Sequence, residues 1–134
     1  MESLKTNSLP LSKPGTGRTS PLPQPKFSLK DYLFLRKANV FERVPLTDII
    51  ALKADSNYTT IFTKTGEYIY STVLRKVEEQ LPKSQFVRVH RSYVVNLAAV
   101  TGFEGNVLFV GDMKIPVSRV LRSEVFNCFK VIYS

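Results

Sequence analysis

From Tyr32 onward the chain breaks into short runs of β-branched and aromatic residues separated by turn residues, a pattern that predicts several short strands. Tyr32 to Leu35 forms the first run, and Asn39 is placed to turn the chain back towards Phe41 to Val44. Another run starts at Asp48 and continues to Lys53. Tyr58 to Lys64 and Glu67 to Tyr70 flank Gly66, which takes positive φ without steric cost, so the two runs read as a hairpin. Gly105-Asn106 and Gly111-Asp112 divide Val100 to Glu104, Val107 to Val110 and Lys114 to Val117 into a β meander.

Two segments repeat their apolar residues at helical spacing instead. Across Ser71 to Leu81, the residues Val73, Leu74, Val77 and Leu81 share one side, Ser71 is placed to cap the start and Pro82 ends the run. Across Ser118 to Tyr133, the stripe is Leu121, Val125, Cys128, Phe129 and Ile132, with Ser118 as the cap. This reading puts Cys128 in the core. The expected fold is therefore mostly β with one or two helices.

Upstream the texture changes. Residues 1–30 contain Pro10, Pro14, Pro21, Pro23 and Pro25 with Gly15, Gly17 and several Ser and Thr, too few apolar groups to offset chain entropy. They read as a disordered Pro-rich basic arm, and 31–134 as one folded domain. Gly15-Thr16-Gly17-Arg18 has neither the preceding strand nor the following helix that a phosphate loop needs.

Charge adds a partner class. Nineteen Lys and Arg against eleven Asp and Glu give a formal charge of +8, which attracts polyanions. The arm holds five basic residues and one acid, so it carries half the excess. The single cysteine excludes an intramolecular disulfide and leaves too few soft ligands for a structural zinc, so no cofactor or metal is expected. No run of about 18 apolar residues is present to cross a bilayer, and Met1 to Pro25 lacks a signal-peptide core. A cytoplasmic protein without a membrane partner is expected.

Candidate chemistry concentrates in Phe86-Val-Arg-Val-His-Arg-Ser-Tyr-Val-Val-Asn96. Alternation to His90 puts Val87 and Val89 on one face of a strand and Arg88 and His90 on the other. Arg91 then falls where an apolar residue belongs, and an unpaired guanidinium is costly to bury. Two readings stand at this point: Arg91 projects to solvent or a ligand where the strand breaks, or it pairs with Glu104 or Asp112. Pro116-Val-Ser-Arg119 stands at the mouth of the last helical segment, where the helix dipole disfavours a cation and favours an anion. Asp55-Ser-Asn-Tyr58 is a polar turn before a strand, with Asn57 and Tyr58 able to contact bases or phosphate. An enzyme finds little support: His90 is the only histidine, and neither Cys128 nor Ser92 has the third group that would complete a nucleophilic site.

Three segments together, Asp48-Ile-Ile-Ala-Leu-Lys-Ala-Asp-Ser-Asn-Tyr58, Phe86 to Asn96 and Ile115-Pro-Val-Ser-Arg119, resemble the LytTR DNA-binding domain. The likeness covers about residues 32–134. It implies an elongated arrangement of short strands in small sheets with a helix alongside, and loops that enter successive grooves of double-stranded DNA. By the same resemblance Arg91 and Arg119 become base-contacting residues and the Asn57–Tyr58 turn a third contact. Ser92 and Ser118 become phosphate ligands, while Lys53, Lys64, Arg88 and Lys114 are candidates for phosphate contact or for solubility alone. Paired sites, a homodimer on DNA and a role in transcription regulation are further expectations from the family. About thirty Pro-rich residues cannot hold a receiver domain, so activation by aspartyl phosphorylation within this chain is not expected. The competing functions are a protein-interaction module with a localising basic tail, and a single-strand or RNA binder that stacks bases on exposed aromatic residues.

Overall fold

The computed structural model describes residues 31–133, so the arm and its Gly15-Thr16-Gly17-Arg18 segment lie outside the described residues. Among the described residues, ten strands and two short helices follow one another: β1 (Tyr32–Lys37), β2 (Val40–Pro45), β3 (Ile49–Asp55), β4 (Tyr58–Thr63), β5 (Gly66–Tyr70), α1 (Leu74–Glu78), β6 (Phe86–His90), β7 (Tyr93–Asn96), β8 (Val100–Glu104), β9 (Val107–Val110), β10 (Met113–Pro116) and α2 (Arg122–Phe126). Single 3-10 turns at Leu46–Asp48 and Leu97–Ala99 lead into β3 and β8. All pairings are antiparallel. They make a two-stranded ribbon β1-β2, a five-stranded sheet ordered β5-β4-β3-β7-β6, and a three-stranded sheet ordered β10-β9-β8.

The turn glycines act as expected: Gly105 and Gly111 both have φ of 58°, in the left-handed region. Gly111 has a second reason to lack a side chain, since a Cβ there would stand 3.1 Å from Ile50 Cγ2.

The five-stranded sheet separates two cores. One face, with Leu52, Ile61, Tyr68 and Val94, packs beneath the ribbon and α1 through Leu35, Val44, Leu74 and Leu81. The opposite face, with Ala51, Val89 and Val95, packs against Leu108, Val110, Ile115, Val117 and Val125 of the three-stranded sheet and the C-terminal segment. Alternation along β3 and β7 supplies both sets, as a sheet covered on both faces requires.

Both helices are shorter than their apolar stripes suggest. The Thr59 hydroxyl donates to the carbonyl of Thr72 at 2.6 Å, and Ser71 and Thr72 form a bend after β5. Helix α1 therefore begins only after Val73, and Ser71 does not cap it. At the other end, Ser118 donates its backbone N–H to Val89 rather than capping a helix, and α2 starts at Arg122 without a side-chain cap. After Phe126 the bonds tighten to i→i+3, from Cys128 to Val125 and from Phe129 to Phe126, and the helix ends. With the helical period lost, Val125 stays buried but Cys128 is exposed and Ile132 is 95% exposed. Cys128 in the core is thus corrected to Cys128 at the surface.

Tyr68 fastens the ribbon to the sheet by donating its hydroxyl to Glu42 at 2.6 Å. That hydrogen bond, and then burial, hold the phenol above its ordinary value. The folded form therefore keeps a proton that the unfolded chain gives up first. The contribution is complete below about pH 10 and is lost as pH rises through the folded value. Melting temperature is expected to fall above pH 10 more steeply in the wild-type chain than in Tyr68→Phe; equal slopes would remove the Glu42 clip from the account.

Candidate nucleic-acid interface

One end of the five-stranded sheet collects the polar turns. Strand β3 reverses into β4 through Ser56-Asn57, with Asp55 opposite Tyr58 and Ser56 at φ 56°. Strand β6 reverses into β7 through Arg91-Ser92, with His90 opposite Tyr93. The two turns are neighbours because β3 pairs with β7, and Ala54 N–H donates to the carbonyl of Ser92 at 2.8 Å. Ser118 N–H donates to the carbonyl of Val89, also at 2.8 Å, which lays the Val117-Ser118-Arg119 segment beside the end of β6.

A β-bulge sets the direction of the Arg91 turn. Arg88 pairs with Val94 and His90 with Tyr93, leaving Val89 as the extra residue. Cross-strand partners share a face. Arg88 therefore lies with Val94 on the side of α1, while His90 is carried to the side of Tyr93, its ring 5.9 Å from the tyrosine ring. The expectation that Arg88 and His90 share a face is corrected: the extra residue shifts the alternation by one. His90 Nδ1 accepts the N–H of Ser92 at 3.1 Å.

Arg91 is exposed and, among the described residues, forms no ion pair; neither Glu104 nor Asp112 meets it. Arg119 is likewise exposed and without a carboxylate partner among the described residues. It stands three residues before α2, in a turn closed by Leu121 N–H on the carbonyl of Ser118, and not on the helix mouth. Asn57 is exposed and Tyr58 is 52% exposed. Lys53 is exposed and lies opposite Tyr93, two residues from the end of β3. Ser92 and Ser118 are half-buried.

The remaining candidates lie elsewhere. Lys64 follows β4 at its far end, where its N–H meets the carbonyl of Asp48 and its ammonium stands 3.9 Å from the Asp48 carboxylate. At about 3.4 Å per residue it is roughly 20 Å from Tyr58. Lys114 sits on the three-stranded sheet with its ammonium 5.9 Å from the centre of the Phe109 ring. Arg88 is occupied within the protein, as described below.

Two further cations belong beside Arg119. An open groove of about 980 Å³ is lined by Arg119, Arg122 and Lys130, with Phe103, Phe126 and Phe129 among its apolar residues. The three rings stand 5.0–6.0 Å apart, centre to centre. Sequence reading missed Arg122 and Lys130, although helical spacing of about 100° per residue already places them on the arc that holds Arg119, opposite the apolar stripe. Among the described residues no three His, Cys, Asp or Glu side chains cluster to hold a metal ion, and no helix is long and apolar enough to cross a membrane.

The class of architecture is a small domain of antiparallel sheets with exposed cations and polar side chains on neighbouring turns. The LytTr DNA-binding domain family matches residues 39–130, and the chain belongs to that family. Strand β1 precedes the matched span, yet it supplies Leu35 to the core. The chain is 34% identical over 130 residues to the heme-containing CO-sensing transcriptional regulator RcoM 2 of Paraburkholderia xenovorans (strain LB400), covering 92% of this chain and 47% of the relative. It is 33% identical over 88 residues to the sensory transduction protein LytT of Bacillus subtilis (strain 168), covering 61% of this chain and 36% of that protein. The chain thus spans about half or less of the curated relatives it matches. A solved LytTr DNA-binding domain from Bacillus cereus shares the fold with a TM-score of 0.64 at 22% identity, over 73% of this chain and 95% of that one.

Proposed function

We propose that this chain is a sequence-specific transcription regulator that reads duplex DNA from its turns. Arg91 and Arg119 contact base edges, and the Asn57–Tyr58 turn provides the third contact. One observation carries the reading: two exposed arginines without protein partners among the described residues stand on segments tied together by the Ser118 to Val89 hydrogen bond. A guanidinium matches the O6 and N7 acceptors of guanine in the major groove, where one bidentate pair distinguishes a base. Lys53, Ser92 and Ser118 flank these positions and suit phosphate oxygens, and Arg122 and Lys130 extend the cationic strip. Lys64, Lys114 and the basic arm act through the general field. Binding to paired sites by two copies completes the reading, and genomic DNA places the activity in the cytoplasm.

The test is selection of bound duplexes from a random pool, followed by titration of the enriched duplex against salt. A recurring motif is expected, with log K falling against log salt by several units as bound phosphates release counterions. Absence of an enriched motif together with a flat salt response would defeat the proposal. A single-strand binder would instead prefer unpaired oligonucleotides of the same length.

A further inference from the structure

Among the described residues the Arg91 side chain meets no carboxylate, but its backbone is held. The peptide group joining Arg91 to Ser92 is held at both ends: its carbonyl accepts from Arg88 Nη1 at 2.9 Å, and its N–H donates to His90 Nδ1 at 3.1 Å. The next carbonyl, that of Ser92, is tied to β3 through Ala54. Arg88 is fixed in its turn. Its Nε and Nη2 both reach Glu78 Oε1, at 3.0 and 2.9 Å, and the two side chains are only about a quarter exposed, 26% and 27%. All three guanidinium nitrogens are therefore engaged inside the protein. Three of its five N–H donors are spent in this way, which leaves one on Nη1 and one on Nη2.

Glu78 is otherwise badly placed. It is the last residue of α1, where a carboxylate meets the negative end of the helix, and it adds negative charge near a surface that faces phosphates. Arg88 is the group that offsets both.

We propose that Arg88, anchored by Glu78, is a positioning residue for DNA reading: it fixes the Arg91–Ser92 peptide and so aims the Arg91 guanidinium at its base. The proposal rests on Arg91 being a base reader. A lysine at residue 88 cannot reproduce the device, because one ammonium lacks the planar fork that spans a carboxylate and a carbonyl. A reader held in this way enters the groove without ordering its own turn first.

The experiment compares the full chain with Glu78→Gln, Arg88→Lys, Arg91→Ala and the Glu78→Gln/Arg91→Ala double variant. Affinities for the selected duplex and its single-base variants are measured across a salt series, and amide exchange at Ser92 is followed. Glu78→Gln and Arg88→Lys are each expected to reduce base preference about three- to tenfold at the position relaxed by Arg91→Ala. The salt slope should remain unchanged and exchange at Ser92 should quicken. In the Arg91→Ala background, Glu78→Gln should cause no further loss of preference.

The competing explanations give opposite signs. If Glu78 matters only through its charge, Glu78→Gln strengthens binding to every duplex and leaves preference intact, which overturns the proposal. If Arg88 is a phosphate contact, Arg88→Ala, added for this purpose, weakens all duplexes alike and lowers the salt slope by about one unit, which also overturns it. Preference relaxed by Arg91→Ala but untouched by Glu78→Gln and Arg88→Lys defeats the positioning role alone. Preference untouched by Arg91→Ala defeats the reader assignment and the positioning role with it.

Discussion

Replacing Arg91 or Arg119 by alanine is expected to lower affinity for the selected duplex by about 1–3 kcal/mol and to relax base preference at one position for each residue. Each guanidinium is exposed in the free protein and pairs with no carboxylate among the described residues, so its removal leaves no buried partner behind. Melting temperature should hardly move. Lys64→Ala is the control, because Lys64 lies at the far end of the sheet beside Asp48, away from the proposed reading turns. It should weaken all sequences slightly and equally, or not at all. Melting curves and a panel of single-base duplex variants, measured on all three proteins, make the comparison. Intact preference in both arginine variants would mean that the reading residues lie elsewhere on the turns.

Asn96→Ala is expected to show the reverse pattern, a large loss of stability with the base preference of the folded fraction unchanged. Asn96 closes the Phe86 to Asn96 motif but is fully buried. Its Nδ2 donates to the carbonyls of Ile49 and Leu46 at 2.7 and 3.2 Å, and its Oδ1 accepts the N–H of Ala98 at 2.9 Å. The amide thus joins the end of β7 to the start of β3 and shapes the turn into β8. Losing it takes this partner from the Ile49 carbonyl and the Ala98 N–H, at about 1–3 kcal/mol each, while the Leu46 carbonyl keeps the N–H of Ile49. For a domain of this size the expected fall in melting temperature is on the order of 10–20 °C. Asn96→Asp should be worse still, since it turns a carboxylate towards two carbonyl oxygens. Thermal unfolding checks both variants, and a melting temperature within a few degrees of wild type would show that the three hydrogen bonds are dispensable.

These variants divide one motif of eleven residues into parts with different duties. Phe86, Val89, Val94 and Val95 pack into the cores, Asn96 stitches strands, Arg88 and His90 hold a turn, and Arg91 is left outside. Residue type alone does not announce this division. Arg88 and Arg91 are the same amino acid three positions apart, and their roles differ because a bulge and a helix stand next to one of them.

Local chemistry determines much of the architecture. Alternating apolar residues, with glycines where positive φ is needed, mark the β4–β5 hairpin and the β8 to β10 meander. These features depend on contacts between near neighbours in the chain. The same holds for the positive charge and for the family, whose signature is carried by contiguous residues. The helices were overdrawn because an apolar stripe records where side chains can pack, not where the backbone bonds are spent. Thr59 takes the carbonyl of Thr72, and Val89 takes the N–H of Ser118, from elsewhere in the chain. Tertiary structure alone decided that β3 lies between β4 and β7, which brings the Asn57 and Arg91 turns to one end and sends Lys64 to the other. It also decided that Arg91 meets neither Glu104 nor Asp112, and that Glu78, ten residues from Arg88, is the carboxylate that holds it. Each of these depends on pairing between distant segments, where burial and hydrogen-bond satisfaction across the whole domain, rather than any local preference, select the partner.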